Sequence, residues 1–424
     1  MVLPDSSRGA DADVLIIGAG PAGLALACAV ADAGLSVQLL EQGSLAALEA
    51  PAPDGREIAL TQRGRRVMQA LGLWQHLSPA EVAPLCEARV LDGNSPSLLR
   101  FAVQEDGGPP SPLGWLVPNH RIRSAALAAA RSRPGVQLAC EARVAALALG
   151  PDRARVTLAD GRRLSAPLVV AADSRLSQTR RMAGIGASVH DFGRSMIVGR
   201  VAHEQPHDGI AWECFRYGNS LALLPLNERQ ASAIVTVSSD LAAQWLALPD
   251  EEFAARIELQ SGGRLGAMRA VGARHHYPLV GVYAHRFAAP RFALIGDAAV
   301  GMHPVTAHGW NFGLYGVEVL ARELAAAHSA GRDIGALSTL QAFEHEHRRA
   351  TLPMYLGTNA LVSLFTDERA LPKLVRRTVL ALAGRVPPFS GLIRSALTRQ
   401  LTEARDAART LSPWHRRRGP GFGP

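Results

Sequence analysis

Paired cysteines are missing from this chain. Cys28, Cys86, Cys140 and Cys214 stand far apart and form no C-x-x-C pair. That argues against a disulfide framework and a thiolate metal site, and reads as four buried thiols in a reducing cytoplasm. No run of about 18 apolar residues occurs, so no membrane-spanning helix is expected. The opening MVLPDSSRGADAD has neither a basic region nor an apolar core, so no secretory signal is expected. Repeats are absent, and low complexity is confined to the terminal Gly-Pro-Gly-Phe-Gly-Pro. No side-chain nucleophile or metal-ligand constellation stands out.

What is present suits a soluble enzyme. The 424 residues, 48% apolar and 19% charged, suffice for two structural domains with sizeable cores. The net charge of +8 is localised. Leu371–Pro424 holds eleven Lys or Arg against two acids, a balance of +9, so the first 370 residues sum to about −1. Arg416, Arg417 and Arg418 stand without a recognition motif, so no nucleic-acid partner is expected.

Two stretches organise the rest. In Asp13–Glu41, Val14–Ile17 reads as a buried parallel strand. Gly18, Gly20 and Gly23 then form G-x-G-x-x-G at the start of a small-residue helix that Gly34 ends, with Pro21 and Ala22 inside the motif. Val37–Leu40 is the next strand, and Glu41 follows it, 23 positions after Gly18 (41 − 18). Each residue has a mechanical task. Gly18 makes the tight turn, Gly20 admits a pyrophosphate, Gly23 packs helix on strand, and the acid meets a ribose hydroxyl. In Phe292–Leu320, a short strand stops at Gly296-Asp297, a loop rich in Pro, His and Gly follows, and a helix begins near Asn311. Strand, acid, loop and helix amino-terminus make a second place for a phosphorylated, polyhydroxylated cofactor. A nicotinamide dehydrogenase needs no such second segment some 270 residues on. FAD does, because its ribityl chain and ring extend beyond the adenosine half.

GAGPAG near the amino-terminus, A-A-D-S-R-x-S-x-x-R in the middle and G-D-A-A…H-P…N-x-G-L late in the chain resemble the three cofactor motifs of class A flavin-dependent aromatic hydroxylases. The chain is most similar to the ubiquinone-biosynthesis hydroxylases, and the wording GDAAVGMHPVTAHGWNFGL resembles their demethoxyubiquinol hydroxylase branch. The resemblance covers roughly residues 12–355. It implies an α/β (α+β) architecture: a Rossmann-like FAD-binding domain with an inserted mixed β-sheet substrate domain and a helical C-terminal region. The cofactor part is expected at 12–80, 115–181 and 278–355, the substrate part at 81–114 and 182–277, and the basic helical region at 356–424. The implied reaction is oxygenation of a phenol or quinol ring with NAD(P)H and O2 through a flavin C4a-hydroperoxide. Other readings are a hydroxylase of a soluble aromatic acid, a flavin-dependent prenyl reductase, and a non-catalytic scaffold in a quinone-making complex.

The resemblance also assigns residues. Arg56 is the arginine expected near the flavin. Arg123, with Arg121 as the alternative, is the polar contact at the start of a helix. Asp173 ends a buried strand, but Ser174 stands where the family has Gly, removing an easy left-handed position. Asp297, after Gly296, should bind the ribityl hydroxyls, and Pro304 through Gly309, Trp310 and Asn311 should wrap the ring. His303 and His308 are candidates to polarise the substrate hydroxyl, or are structural loop histidines. With one G-x-G-x-x-G, the nicotinamide is expected to have no nucleotide-binding fold of its own.

Val136–Leu138, Ala142–Leu147 and Arg155–Leu158 read as a β meander, and Ser220–Leu226 with Ala231–Val237 as a β-hairpin. Ile210, Trp212 and Leu221 read as chamber lining or as plain core. In Leu371–Ala383, Leu371, Leu374, Val375, Val379 and Leu382 recur at helical spacing with Lys373, Arg376 and Arg377 on the other side. That pattern fits either a helix on an anionic bilayer or one packed on the body. A cytoplasmic enzyme with peripheral contact to the inner membrane or a quinone-biosynthesis complex would suit an apolar prenylated aromatic substrate.

Overall fold

The computed structural model describes residues 11–92, 98–102, 112–216, 219–303 and 309–366. The basic tail from 367 onward therefore lies outside the described residues. Strands are numbered in chain order, as are the helices of eight or more residues.

The cofactor half is built on a six-stranded sheet. It comprises β1 (Val14–Ile17), β2 (Val37–Leu40), β8 (Val136–Ala139), β12 (Leu168–Ala171), β18 (Ala288–Ala289) and β19 (Phe292–Leu294). Five run parallel in the order β8-β2-β1-β12-β19, with β18 antiparallel on the edge. Every residue of β1 and β12 is buried, as a sheet covered on both faces requires. Helix α1 (Pro21–Asp32) packs between α3 (Asn119–Arg131) and α5 (Gly309–Ser329). Small residues make that close approach possible: Ala25, Ala27 and Ala29 are all fully covered.

The meander is β9 (Val144–Leu149), β10 (Ala154–Leu158) and β11 (Arg163–Ala166). The Val136 segment, expected to be its first strand, is instead β8 and extends the parallel sheet beside β2. Val37 donates to the carbonyl of Gly135 and Glu41 to that of Ala139. A short apolar run carries no information about its partner, and here the free edge of β2 supplied it.

The second unit is an eight-stranded sheet in the order β20-β17-β13-β16-β15-β14-β5-β6. Its strands are β5 (Glu87–Asp92), β6 (Leu98–Ala102), β13 (Ala187–His203), β14 (Ile210–Arg216), β15 (Asn219–Pro225), β16 (Gln230–Ser238), β17 (Met268–Ala284) and β20 (Val300–Gly301). The hairpin β15–β16 stands where expected. Strand β17 runs across the expected boundary at 277–278, because it stays paired with β13 from one end to the other. Its last residues also pair with β20, just after Asp297. The substrate sheet thus grows directly out of the cofactor segment. A further three-stranded sheet, β3 (Glu57–Thr61), β7 (Gly114–Pro118) and β4 (Ala83–Leu85), links the halves.

One face of the large sheet is closed by α4 (Asp250–Ser261) and Trp245. Ile197, Cys214, Leu221, Leu223 and Val235 pack there against Phe253 and Ile257. Leu221 and Trp212 belong to this core, as one of their two readings held. Cys28 and Cys214 are buried, with burial pushing the Cys28 thiol up to about 12. Cys140 is half-buried and Cys86 exposed, so four buried thiols is corrected to two. Cys86 immediately precedes β5, its N–H bonded to the Gly209 carbonyl.

Helix α2 (Gln62–Ala70) precedes α3, and α6 (Leu337–Thr366) crosses α5. At that crossing the His347 ring lies where a Cβ on Gly316 would be 2.7 Å away. His347 Nε2 donates to the Phe312 carbonyl, and burial pushes its pKa down to about 4 from 6.5. The unfolded chain therefore takes up this proton first. Stability is full above pH 6.5 and falls as the pH drops toward 4, by about 3 kcal/mol from this one ring. Urea midpoints measured across that window should decline steadily; a flat profile would rule the effect out.

Candidate cofactor and substrate site

Four adjacent parallel strands end on the same sheet edge, and each carries a candidate residue there. Gly18 follows β1, Glu41 follows β2, Asp173 follows β12, and Asp297 follows β19. Ligands of open α/β sheets bind outside the carboxyl ends of the strands, where the strand order reverses. Here that point lies between β1 and β12.

Gly18 has φ +106°, and a Cβ there would lie 2.6 Å from the Ala172 carbonyl oxygen. A Cβ on Gly23 would lie 2.0 Å from the Gly18 oxygen, whereas one on Gly20 meets nothing within 4 Å. Two glycines are therefore demanded by the protein's own backbone, and the third opens onto free space at the start of α1. Pro21 begins α1, and its missing N–H is harmless in that first turn. The Glu41 carboxylate accepts from the N–H of Ala19 at 2.8 Å and of Gly43 at 2.7 Å. It therefore braces the glycine turn from the neighbouring strand.

The second and third segments form one unit. Arg175 donates from Nη2 to Asp297 Oδ2 at 3.0 Å and from Nη1 to the Val280 carbonyl at 2.9 Å. Arg180, buried, donates to the carbonyls of Ala298 and Arg175. Asp297 keeps 43% of its side chain exposed despite the pair. Asp173 Oδ2 accepts from the Thr179 N–H, while Oδ1 is buried without a hydrogen-bond partner among the described residues. Ser174 is not among the residues with positive φ, so the lost glycine costs no strain. Gly296 has φ +57° and sits over Ala22, whose Cβ lies 2.9 Å from a Cβ built there.

Around this edge, Arg56 Nη2 donates to Asp54 Oδ2 at 2.6 Å and its guanidinium lies 5.2 Å from the Tyr277 ring centroid. Arg121 is held by Glu81 at 2.6 Å; Arg123, one turn into α3, is half-buried. Helix α5 begins at Gly309 and passes Gly296 at Gly313, where an added Cβ would lie 3.9 Å from the Gly296 Cα. Trp310 Nε1 is buried with no hydrogen-bond partner among the described residues. The Asn311 side chain is taken up structurally. Its Nδ2 donates to the Ala59 carbonyl at 2.9 Å, and its Oδ1 accepts from the Thr61 N–H at 3.0 Å. The side-chain amide thus fastens α5 to β3, whose edge offers a donor and an acceptor at that height. His303 is buried beside Phe192, 4.8 Å between centroids, and burial with the Arg175 charge pushes its pKa down to about 4. At neutral pH it is an uncharged ring. Pro304 and His308 lie outside the described residues.

The remaining face of the large sheet looks toward these elements. Arg200 donates to Glu57 at 2.5 Å, the Tyr277 hydroxyl donates to the Asp54 carbonyl, and Phe192 meets His303. Glu57 is buried, and burial outweighs the Arg200 charge to raise its pKa. Between these polar ties the face is apolar, with Met196, Val198 and Leu279 packed by Phe192, Ile234 and Tyr277.

These residues fit FAD. An open cradle at Gly20, an unpartnered Asp173 oxygen and a half-exposed Asp297 carboxylate lie along one edge. Sequence reasoning missed Arg175 as the partner of Asp297, although its motif contained it; nothing in a spacing of 122 residues signals an ion pair.

Comparison with known proteins agrees with that geometry. The family described as FAD binding domain matches residues 11–352. The ubiquinone hydroxylase UbiM of Neisseria meningitidis is 44% identical over 91% of this chain and 84% of its own length. The ubiquinone hydroxylase UbiL of Rhodospirillum rubrum is 41% identical over 90% and 88%. The 3-demethoxyubiquinol 3-hydroxylase of Escherichia coli K12 is 26% identical over 88% and 95%. The chain is thus nearer overall to the first two than to the branch its late motif resembles. Among solved structures, PqsL of Pseudomonas aeruginosa, a probable FAD-dependent monooxygenase, superposes with a TM-score of 0.72 at 22% identity, covering 84% of this chain and 97% of its own.

Proposed function

The chain belongs to the FAD binding domain family and is an FAD-dependent monooxygenase, and from that premise we propose that it uses NAD(P)H and O2 to hydroxylate the ring of a prenylated phenol or quinol in ubiquinone biosynthesis. The observation that carries this reading is the identity to ubiquinone hydroxylases, which extends over the substrate sheet as well as the cofactor motifs.

Bound FAD supplies the electrons and activated oxygen that the side chains lack. The chain's own residues bind, orient and exclude water. The turn Gly18 to Gly23, with Pro21 and Ala22, presents the amino-terminus of α1 to the pyrophosphate, where free N–H groups favour negative charge. Glu41 stands at the ribose end and Asp297 at the ribityl hydroxyls. Arg56, Arg123 and Asp173 line the approach. Gly309 and Trp310 open α5, whose N–H groups favour the negative charge that develops on a reduced ring. Gly296 brings that turn down onto Ala22. His303, neutral, lends a hydrogen bond rather than a charge. NAD(P)H approaches without a nucleotide-binding fold of its own. The apolar face of the large sheet, from Met196 and Val198 across to Ile234, receives the substrate and keeps water from it.

The basic tail supplies the peripheral contact with an anionic membrane, at ~1 kcal/mol for each basic side chain near the surface. Full-length protein should sediment with anionic vesicles and a form lacking 371–424 should not. Equal sedimentation of both would end the anchor reading. Mass spectrometry of quinone lipids in cells lacking the protein tests the substrate. Accumulation of a prenylated precursor one ring hydroxyl short supports it, and failure of the purified holoenzyme to oxygenate such a precursor would refute it.

A further inference from the structure

One acid on the substrate sheet has no part in the cofactor site. Glu213 lies mid-strand in β14, between Trp212 and Cys214, which face α4. Side chains alternate along a strand, so Glu213 shares the other face with Ala211 and Phe215. That face meets the cofactor half: Ala211 and Leu224 pack with Ala59, Leu85 and Leu113. The register row through Glu213 reads Val90, Glu213, Ala222, Ile234, Val198. A carboxyl stands there in a line of apolar side chains, and nothing in the fold asks for an acid.

Its hydrogen-bond partner is the Ser220 hydroxyl, diagonally across on β15. Burial outweighs that bond and pushes its pKa up to about 7. Part of the residue's surface is exposed, while its carboxyl is densely surrounded, which is what raises its pKa. Among the described side chains, the charged or titratable positions sharing its face are Arg194 and Arg200 on β13, and His275 and Tyr277 on β17. Arg200 is paired with Glu57, Tyr277 donates to Asp54, and His275 lies against Gly55. His303, beside Phe192, is neutral near pH 7 and so weakly basic. A proton acceptor works best when its pKa is near the working pH, and on this face Glu213 meets that condition.

We propose that Glu213 is a catalytic residue, whose carboxylate accepts a hydrogen bond from the substrate ring hydroxyl and takes its proton as the ring is oxygenated. The inference rests on the phenol or quinol substrate proposed above. A ring carbon forms a C–O bond to one atom of O2 as the O–O bond breaks; two electrons from NAD(P)H take the other atom to water. Density flows from the hydroxyl oxygen into the ring, and its proton passes to Glu213. When the oxygenated carbon releases its hydrogen as a proton, aromaticity returns and Glu213 gives the first proton back.

The test uses the oxidised holoenzyme, which binds without turning over. The probes are a prenylated phenol and its methyl ether, followed by perturbation of flavin absorbance. Wild type should prefer the phenol about ten- to a hundredfold above pH 7, as expected for a hydrogen bond to a charged acceptor. The preference should vanish as the pH falls below 7 and Glu213 is protonated. Glu213→Gln should show none at any pH, keep its FAD, and slow ring hydroxylation in a single turnover about a hundredfold. A Gln variant that retains both the preference and the rate would overturn the assignment while leaving the substrate reading intact. So would a wild-type preference unchanged between pH 6 and 8, a test that needs no variant. A wild type that binds neither probe would overturn the substrate reading, and this inference with it.

Discussion

Asp297→Ala protein should purify folded and nearly colourless. The carboxylate is half-exposed and its one described ion pair, with Arg175, is partly solvated, so its loss should change folding stability by less than ~1 kcal/mol. Arg175 keeps the Val280 carbonyl as a second acceptor. Binding of FAD is another matter. A carboxylate accepting hydrogen bonds from hydroxyls contributes about 1.5–3 kcal/mol for each, which is ten- to more than a hundredfold in affinity. Titration of apoprotein with FAD should show that loss, with Asp297→Asn in between. Wild-type affinity in the Ala variant would remove Asp297 from the site. A variant that fails to fold would show that the Arg175 pair, and not the flavin, is its main partner.

Gly20→Ala and Gly23→Ala should fail in opposite ways. A methyl at Gly23 would sit 2.0 Å from the carbonyl oxygen of Gly18. Neither atom belongs to a flexible side chain, so α1 must move off β1 in the most buried part of the core, at a cost of several kcal/mol. The apoprotein itself should unfold at markedly lower temperature. A methyl at Gly20 meets nothing within 4 Å, and the residue has an ordinary φ of −69°. Its apoprotein should melt with wild type, or slightly above it, since Ala restricts the unfolded chain more than Gly does. Yet FAD affinity should fall at least tenfold, because that free space is where the pyrophosphate must come closest to the backbone. Thermal unfolding of both apoproteins, followed by FAD titration, separates the two. If Gly20→Ala destabilises the apoprotein as much as Gly23→Ala, the division of labour drawn here is wrong.

What decided these expectations came from different places. Amino-acid order alone determined the strand–turn–helix at Val14–Asp32, the tight turn at Gly18 and close packing at Gly23, the acids that end β2, β12 and β19, and the β15–β16 hairpin. Each depends on sterics or periodicity within a few residues, so neighbours in the chain suffice to specify it. Tertiary structure alone decided that Arg175 holds Asp297 and that Asn311 is saturated by Thr61 and Ala59. It also placed Val136–Ala139 beside β2 rather than in the meander, and left Cys86 exposed. The sharpest case is β14. Trp212 could be read as chamber lining or as core, and which face of its strand would be covered was not legible. A strand's two faces are equivalent until something packs on one of them, and α4, some 40 residues further on, claimed the face of Trp212. Contacts across such separations are set by which surfaces remain to be covered once the local elements have formed, and no single stretch of sequence records that.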